Sequence, residues 1–162
     1  IYHFNRLIKD LNGLSKEEFL IRLDEMYRIK ERGSEYYKPS KKHHFSMYID
    51  GSFYSLYLRK NKYKASTPQD ELDAQILYTT VLQPILGITD LRSDQRIDYA
   101  HGKMAMAHVK SLVDSRKYVV GFGSLPVTVD EMKLIADAGQ TMPPKSTYIE
   151  PKLRSGLTIY EF

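Results

Sequence analysis

The run His44-Phe45-Ser46-Met47-Tyr48-Ile49-Asp50-Gly51-Ser52-Phe53-Tyr54-Ser55-Leu56-Tyr57-Leu58-Arg59-Lys60 decides the fold. Two stretches of aromatic, aliphatic and small polar residues flank Asp50-Gly51. That pair suits a two-residue type I′ turn, where both central residues take positive φ and Gly does so without strain. The turn sets a register with Ile49 opposite Ser52, Met47 opposite Tyr54 and Phe45 opposite Leu56. Those residues and Leu58 share one face, the expected core face. His44, Ser46, Tyr48, Phe53, Ser55, Tyr57 and Arg59 share the other. That face either packs under a helix or a partner, or stacks nucleic-acid bases on its rings.

Toward the amino terminus, Ile1 to Asp10 reads as a short strand and Asn12-Gly13 as a turn. Ser15-Lys16-Glu17-Glu18 is a capping box. Phe19, Leu20, Leu23, Met26 and Tyr27 follow at helical spacing, which predicts a helix ending near Gly33. Ser34 to His43 is a polar, basic loop. Toward the carboxy terminus, Thr67-Pro68 opens a helix lined by Leu72, Ile76, Thr79 and Leu82 or Gln83, and Pro84 ends or kinks it. Leu86 to Arg96 is a polar connection, and Arg96 to Tyr99 a short strand. Gly102 to Ser115 reads as a helix and Lys117 to Phe122 as a buried strand. Thr128-Val129-Asp130-Glu131 is a second capping box, and Gly139 closes its helix. Met142 to Ser155 is a loop with Pro and Lys, and Gly156 to Phe162 a final strand. The expected fold is a single α+β domain over residues 1–162, a mixed, largely antiparallel sheet covered by about four helices.

The composition narrows the chemistry. The chain has 162 residues, 42% hydrophobic and 27% charged, so it can bury a core without a staple. It has no cysteine, which excludes disulfides, thiolate zinc sites and cysteine nucleophiles. No run approaches the roughly 18 apolar residues of a membrane span. No secretory signal opens the chain, so a cytoplasmic location is expected. The net charge of +4 is concentrated in residues 35–64, where seven Lys/Arg face Glu35 and Asp50. The chain starts at Ile1 inside what reads as structured sequence, as a cut within a longer protein would.

Two segments carry a resemblance. One is Gln83-Pro84-Ile85-Leu86-Gly87-Ile88-Thr89-Asp90 with Ile97-Asp98-Tyr99-Ala100-His101-Gly102. The other runs from Ala136-Asp137-Ala138-Gly139-Gln140-Thr141-Met142-Pro143-Pro144-Lys145-Ser146-Thr147-Tyr148-Ile149-Glu150 to Leu157. Together they resemble the carboxy-terminal half of the bacterial "domain of unknown function ten-fifteen" family, whose members are often labelled SpoOJ/ParA/ParB/RepB-like. The start Asn5-Arg6-Leu7-Ile8-Lys9-Asp10 and the hairpin are also similar to that family. Ile149 departs from it, standing where an aromatic residue is usual. The resemblance implies a missing amino-terminal half with a ParB/sulfiredoxin-like nucleotide-binding fold, the fold that includes free-serine kinases. The Asp-Gly-His-His-Arg motif of that half is absent here, since Lys42-His43-His44-Phe45 lacks its Asp-Gly and Arg. It implies a fragment that is inactive alone, a full-length protein of kinase-like phosphotransferase character, no cofactor in this chain and a nucleotide in the whole protein. The expected partners are the missing half and a second copy of the chain, with nucleic acid less favoured and no membrane.

Two clusters stand out as sites. Lys145, Ser146, Thr147, Tyr148, Lys152 and Arg154 put many donors on a loop stiffened by Pro143, Pro144 and Pro151, which suits a phosphate or carboxylate. The competing reading is a structural crossover. It is not a P-loop, because no glycine run precedes Lys145. Arg96, Asp98, Tyr99 and His101 form the second cluster, either an acid/base pair of Asp98 and His101 or an ion pair at a helix entry. No metal set is expected: His43 and His44 point to opposite faces of a strand, and His101 and His108 lack a third ligand. Asp90 and Asp94 fit a solvated loop better than a magnesium site. Gly121-Phe122-Gly123-Ser124-Leu125-Pro126 reads as a strand-end turn, not a dinucleotide loop. The function expected is a nucleotide- or phosphometabolite-handling protein with an anion-binding loop at 142–154. The alternatives are a ParB-like nucleic-acid module using hairpin 44–60 and a purely structural or dimerisation domain.

Overall fold

The computed structural model describes residues 2, 4–101 and 106–149. Among the described residues six strands form one sheet: β1 Phe4–Ile8, β2 Tyr27–Gly33, β3 His44–Ile49, β4 Ser52–Leu58, β5 Ile97–His101 and β6 Val120–Gly123. Their order is β2-β4-β3-β6-β1-β5, and every pair is antiparallel. Four α-helices accompany them: α1 Lys16–Asp24, α2 Asp73–Leu77, α3 Met106–Asp114 and α4 Val129–Asp137. The α+β class and the antiparallel sheet are as the sequence predicts.

The hairpin turns at Asp50 and Gly51, both with positive φ, and keeps the expected register. Both faces of the central strands β1, β3 and β6 are buried. On one, Phe45, Met47, Leu56, Ile8 and Phe122 pack with Phe19 and Leu23 of α1 and with Ile76 and Leu77 of α2. On the other, Tyr48, Phe53 and Leu7 pack with Met106, Val109 and Val113 of α3. Tyr48 and Phe53 are therefore covered by a helix and are not available for base stacking. Gly121 allows this close approach: a Cβ there would stand 2.1 Å from Val109 Cγ1.

The first helix is shorter than its periodicity predicts. Ser15 and Glu18 make the reciprocal capping box, but α1 ends at Asp24 and Tyr27 begins β2. Met26 and Tyr27 continue the helical spacing, yet Tyr27 and Ile29 also alternate with Arg28 and Lys30. The open edge of β4 decides between the two patterns, because pairing there satisfies backbone groups that a helix would satisfy only locally. The second helix is also broken. Thr67-Pro68 opens a single 3₁₀ turn at Gln69–Glu71, Leu72 is extended, and α2 passes into a π-helical turn at Tyr78–Leu82. Thr128 and Glu131 cap α4 as expected, and Gly139 follows it with φ +67°. The strand predicted over 156–162 lies outside the described residues, as does the start of the helix predicted from Gly102.

Candidate functional site

Register places an arginine in the core. In β1, Phe4, Arg6 and Ile8 share a face by strand alternation, so Arg6 lies in the same cross-strand row as Tyr99 of β5 and Phe122 of β6. Arg6 is 2% exposed. Its Nη1 donates to the Phe4 carbonyl at 2.9 Å, and the guanidinium carbon stands 5.9 Å from the Tyr99 ring centroid. Nε and Nη2 have no hydrogen-bond partner among the described residues. Burial lowers the pKa of the guanidinium, with Tyr99 and Asp73 acting against it.

Arg6 lines a cavity of about 20 Å³ at the end of the sheet where β1 begins and β6 ends. Lys42, Asp73, Ser124, Glu131 and Ser146 are its other polar neighbours, and Phe4, Leu72 and Val127 close its apolar side. Asp73 is 8% exposed, and its Oδ1 accepts the His43 amide at 2.8 Å. Burial pushes the Asp73 carboxyl up to about 6. Lys42 pairs with Glu131, which also receives the Thr128 amide of the capping box. Burial acts to raise Glu131, but the bonds from Lys42 and Thr128 outweigh it and hold the carboxylate below its ordinary range.

The loop with the predicted anion donors reaches this cavity. The backbones of Tyr2 and Tyr148 exchange hydrogen bonds of 2.8 and 3.0 Å, tying the loop beside β1. The Tyr148 ring stacks on His101 with centroids 4.7 Å apart, and its edge meets Phe4. Lys145 is exposed, takes a φ of +56° and sets its Nζ 5.6 Å from the Phe4 ring centroid. Ser146 is 6% exposed, lines the cavity and donates to the Pro143 carbonyl at 2.7 Å. Thr147 is half-buried. Lys152 and Arg154 lie outside the described residues.

The second predicted cluster divides. Tyr99 and His101 flank the loop and Phe4 on the Arg6 side. Arg96 is occupied elsewhere: it binds the Leu86 and Gly87 carbonyls and the Asp94 carboxylate. Asp98 accepts from the Tyr118 hydroxyl and pairs with Lys9. The Asp98 carboxylate therefore faces Tyr118 and Lys9, whereas His101 faces Tyr148. Among the described residues no group of three metal-ligating side chains occurs, and no helix is long and apolar enough to cross a membrane.

Arg6, Asp73 and Lys42 were not singled out by motif. For Arg6 a signal exists: it sits between Phe4 and Ile8 in strand parity, where alternation demands an apolar residue. Asp73 and Lys42 have no such signal, since their meeting depends on how α2 and the loop before β3 cross.

Comparison with known proteins adds two findings. The sequence model of a family described as "Protein of unknown function (DUF1015)" matches residues 1–75, the stretch from β1 through the hairpin to the start of α2. The segments 83–102 and 136–157 lie beyond that match. A solved structure of a free serine kinase mutant in complex with AMP is similar at 13% identity, with a TM-score of 0.50 over 91% of this chain and 52% of that one. The likeness is one of fold, and the chain spans about half the length of that structure. No curated protein matches.

Proposed function

We propose that this chain is the phosphate-binding part of a nucleotide- or phosphometabolite-handling protein. One observation carries the reading. Nε and Nη2 are neighbouring donors on one edge of the guanidinium, the edge that grips a carboxylate or phosphate through two parallel bonds. In Arg6 both are buried without a partner among the described residues. Leaving a buried donor unmade costs about 1–3 kcal/mol, more when it is charged. An anion at this edge relieves that cost. Lys42 lines the same cavity and Lys145 stands beside it over the Phe4 ring, each adding positive charge. The fold-level likeness to a kinase solved with AMP is consistent with a nucleotide as the ligand of the whole protein. In this reading loop 142–154 forms the rim of the phosphate site, with Ser146 at the cavity wall, and phosphoryl transfer needs the remainder of a longer protein.

Isothermal titration with inorganic phosphate, pyrophosphate, AMP and ADP tests this. Wild-type protein is expected to bind at least one of them, and Arg6→Lys, which keeps the charge but loses the two-donor edge, to bind it about tenfold or more weakly. Absence of binding by the wild type at millimolar concentrations, or undiminished binding by a folded Arg6→Lys variant, refutes the proposal.

A further inference from the structure

β2 is an edge strand, and its register gives the outer face of the hairpin a row of cations. Arg28 lies opposite Tyr57 of β4, and Lys30 opposite Ser55. Both are exposed. Arg32 joins the same face: its Nε donates to Ser55 Oγ at 3.1 Å and its Nη2 to the Tyr57 hydroxyl at 2.9 Å. Three cations thus stand at alternate positions of one strand, about 7 Å apart. Among the described residues none of them pairs with a carboxylate. Glu31, the one acid of β2, is opposite Tyr54 on the core face.

Aromatic rings lie between these charges. The Arg28 guanidinium carbon stands 4.9 Å from the Tyr57 ring centroid, and that of Arg32 stands 4.9 Å from the Tyr37 centroid. His44 meets Tyr57 edge to face at 4.7 Å, and its Nδ1 is 3.1 Å from the Tyr37 hydroxyl. Burial, then Lys41, His43 and Arg28, hold the His44 imidazole below its ordinary range, so the ring is neutral at pH 7. Tyr57 and His44 are half-buried and reach the surface, whereas Tyr48 and Phe53 at the other end of this face lie under α3. Charges on an edge strand also deter pairing with another sheet. That role needs no fixed geometry, yet here Arg32 is held by two hydrogen bonds and Arg28 by a ring.

We infer that this face binds a single-stranded nucleic acid, with phosphates along Arg28, Lys30 and Arg32 and bases against Tyr57 and His44. Successive phosphates of an extended strand repeat at an interval close to that of alternate residues in β2. Bases stack on aromatic rings and on guanidinium planes. The carboxylates of an acidic protein would meet the cations and leave the rings unused. The surface differs from the hairpin face expected from the sequence, because β2 supplies its cations and α3 removes two of its rings. It lies on the face of the sheet opposite Arg6, so this reading and the phosphate reading stand or fall separately.

Fluorescence anisotropy with labelled oligo(dT) of about 12 nucleotides, within the usual site size, tests it. The wild type is expected to bind, with an affinity that falls steeply as salt rises. Arg28→Gln with Lys30→Gln is expected to weaken binding and to flatten the salt slope by about 1.4, at about 0.7 per phosphate contact on a single strand. Removing two charges elsewhere, Lys117→Gln with Lys133→Gln, is expected to keep the slope. Tyr57→Leu, verified as folded by circular dichroism, is expected to bind about fivefold or more weakly with the slope kept, as the loss of one stacked base requires. No binding by the wild type at low salt overturns the inference. Equal flattening in the control pair, tighter binding of a duplex of the same length, or undiminished binding by folded Tyr57→Leu does so too. Tighter binding of poly-glutamate than of oligo(dT) at equal charge also overturns it, and marks an acidic protein as the partner.

Discussion

Replacing Asp73 with asparagine separates the cost of its charge from the worth of its hydrogen bond. The side chain is 8% exposed, and its Oδ1 anchors the His43 amide, a bond that an asparagine carbonyl can keep. The groups that face it are Arg6, Lys42, His43 and Glu131. Burial dominates, and the carboxyl is raised from 3.8 to about 6. A raised pKa in the folded state means that the native protein holds this proton more tightly than the unfolded chain does. The associated stability is therefore complete below about pH 4, falls as pH rises to about 6, and is absent above it. A shift of ~2 units at 1.36 kcal/mol each makes the loss ~3 kcal/mol. Asparagine does not ionise, so Asp73→Asn should match the wild type near pH 4 and exceed it by ~3 kcal/mol near pH 7 to 8. For a domain of this length that is a rise in Tm of roughly 6–12 °C at neutral pH. Urea unfolding of both proteins at a series of fixed pH values measures the difference directly, and titrations of all other groups cancel in it. A difference that stays constant with pH, or a variant less stable than wild type at pH 7, refutes the reasoning.

Two further outcomes follow from the packing. Gly121→Ala drives a methyl into Val109 of α3 and should destabilise by about 1–3 kcal/mol. Combining it with Val109→Ala should cost less than the sum of the single changes, so strict additivity in a double-mutant cycle would contradict the clash. Arg96→Ala orphans the Leu86 and Gly87 carbonyls and frees Asp94, with an expected cost of about 1–3 kcal/mol. Amide exchange across residues 86–96 should quicken, and an unchanged exchange pattern would show that the clamp does not hold this connection.

Local physics accounts for what was legible. Asp50-Gly51 specifies its own turn, so the register of β3 and β4 follows from a few residues. Ser15/Glu18 and Thr128/Glu131 cap their helices with side chains three positions apart, and both boxes form. The members of the donor-rich loop, Lys145, Ser146 and Tyr148 among them, and of the second polar cluster could be named separately from the sequence. Their convergence could not: Tyr148 reaches His101 only because β1 and β5 are neighbours at the edge of the sheet.

By itself, the amino-acid sequence determined the elements whose signals act over three or four residues: turns, caps and the alternation of strands. Tertiary structure decided the rest. Tyr27 to Gly33 became a strand because β4 offered an unpaired edge, against a helical spacing that ran the other way. The second face of the hairpin became core because α3 covers it across Gly121. Arg6 and Asp73 are separated by 67 positions, and only the fold brings the start of α2 and β1 to one cavity. Burial then gives each an energetic cost that neither has in the unfolded chain, and that cost is what singles out the candidate site.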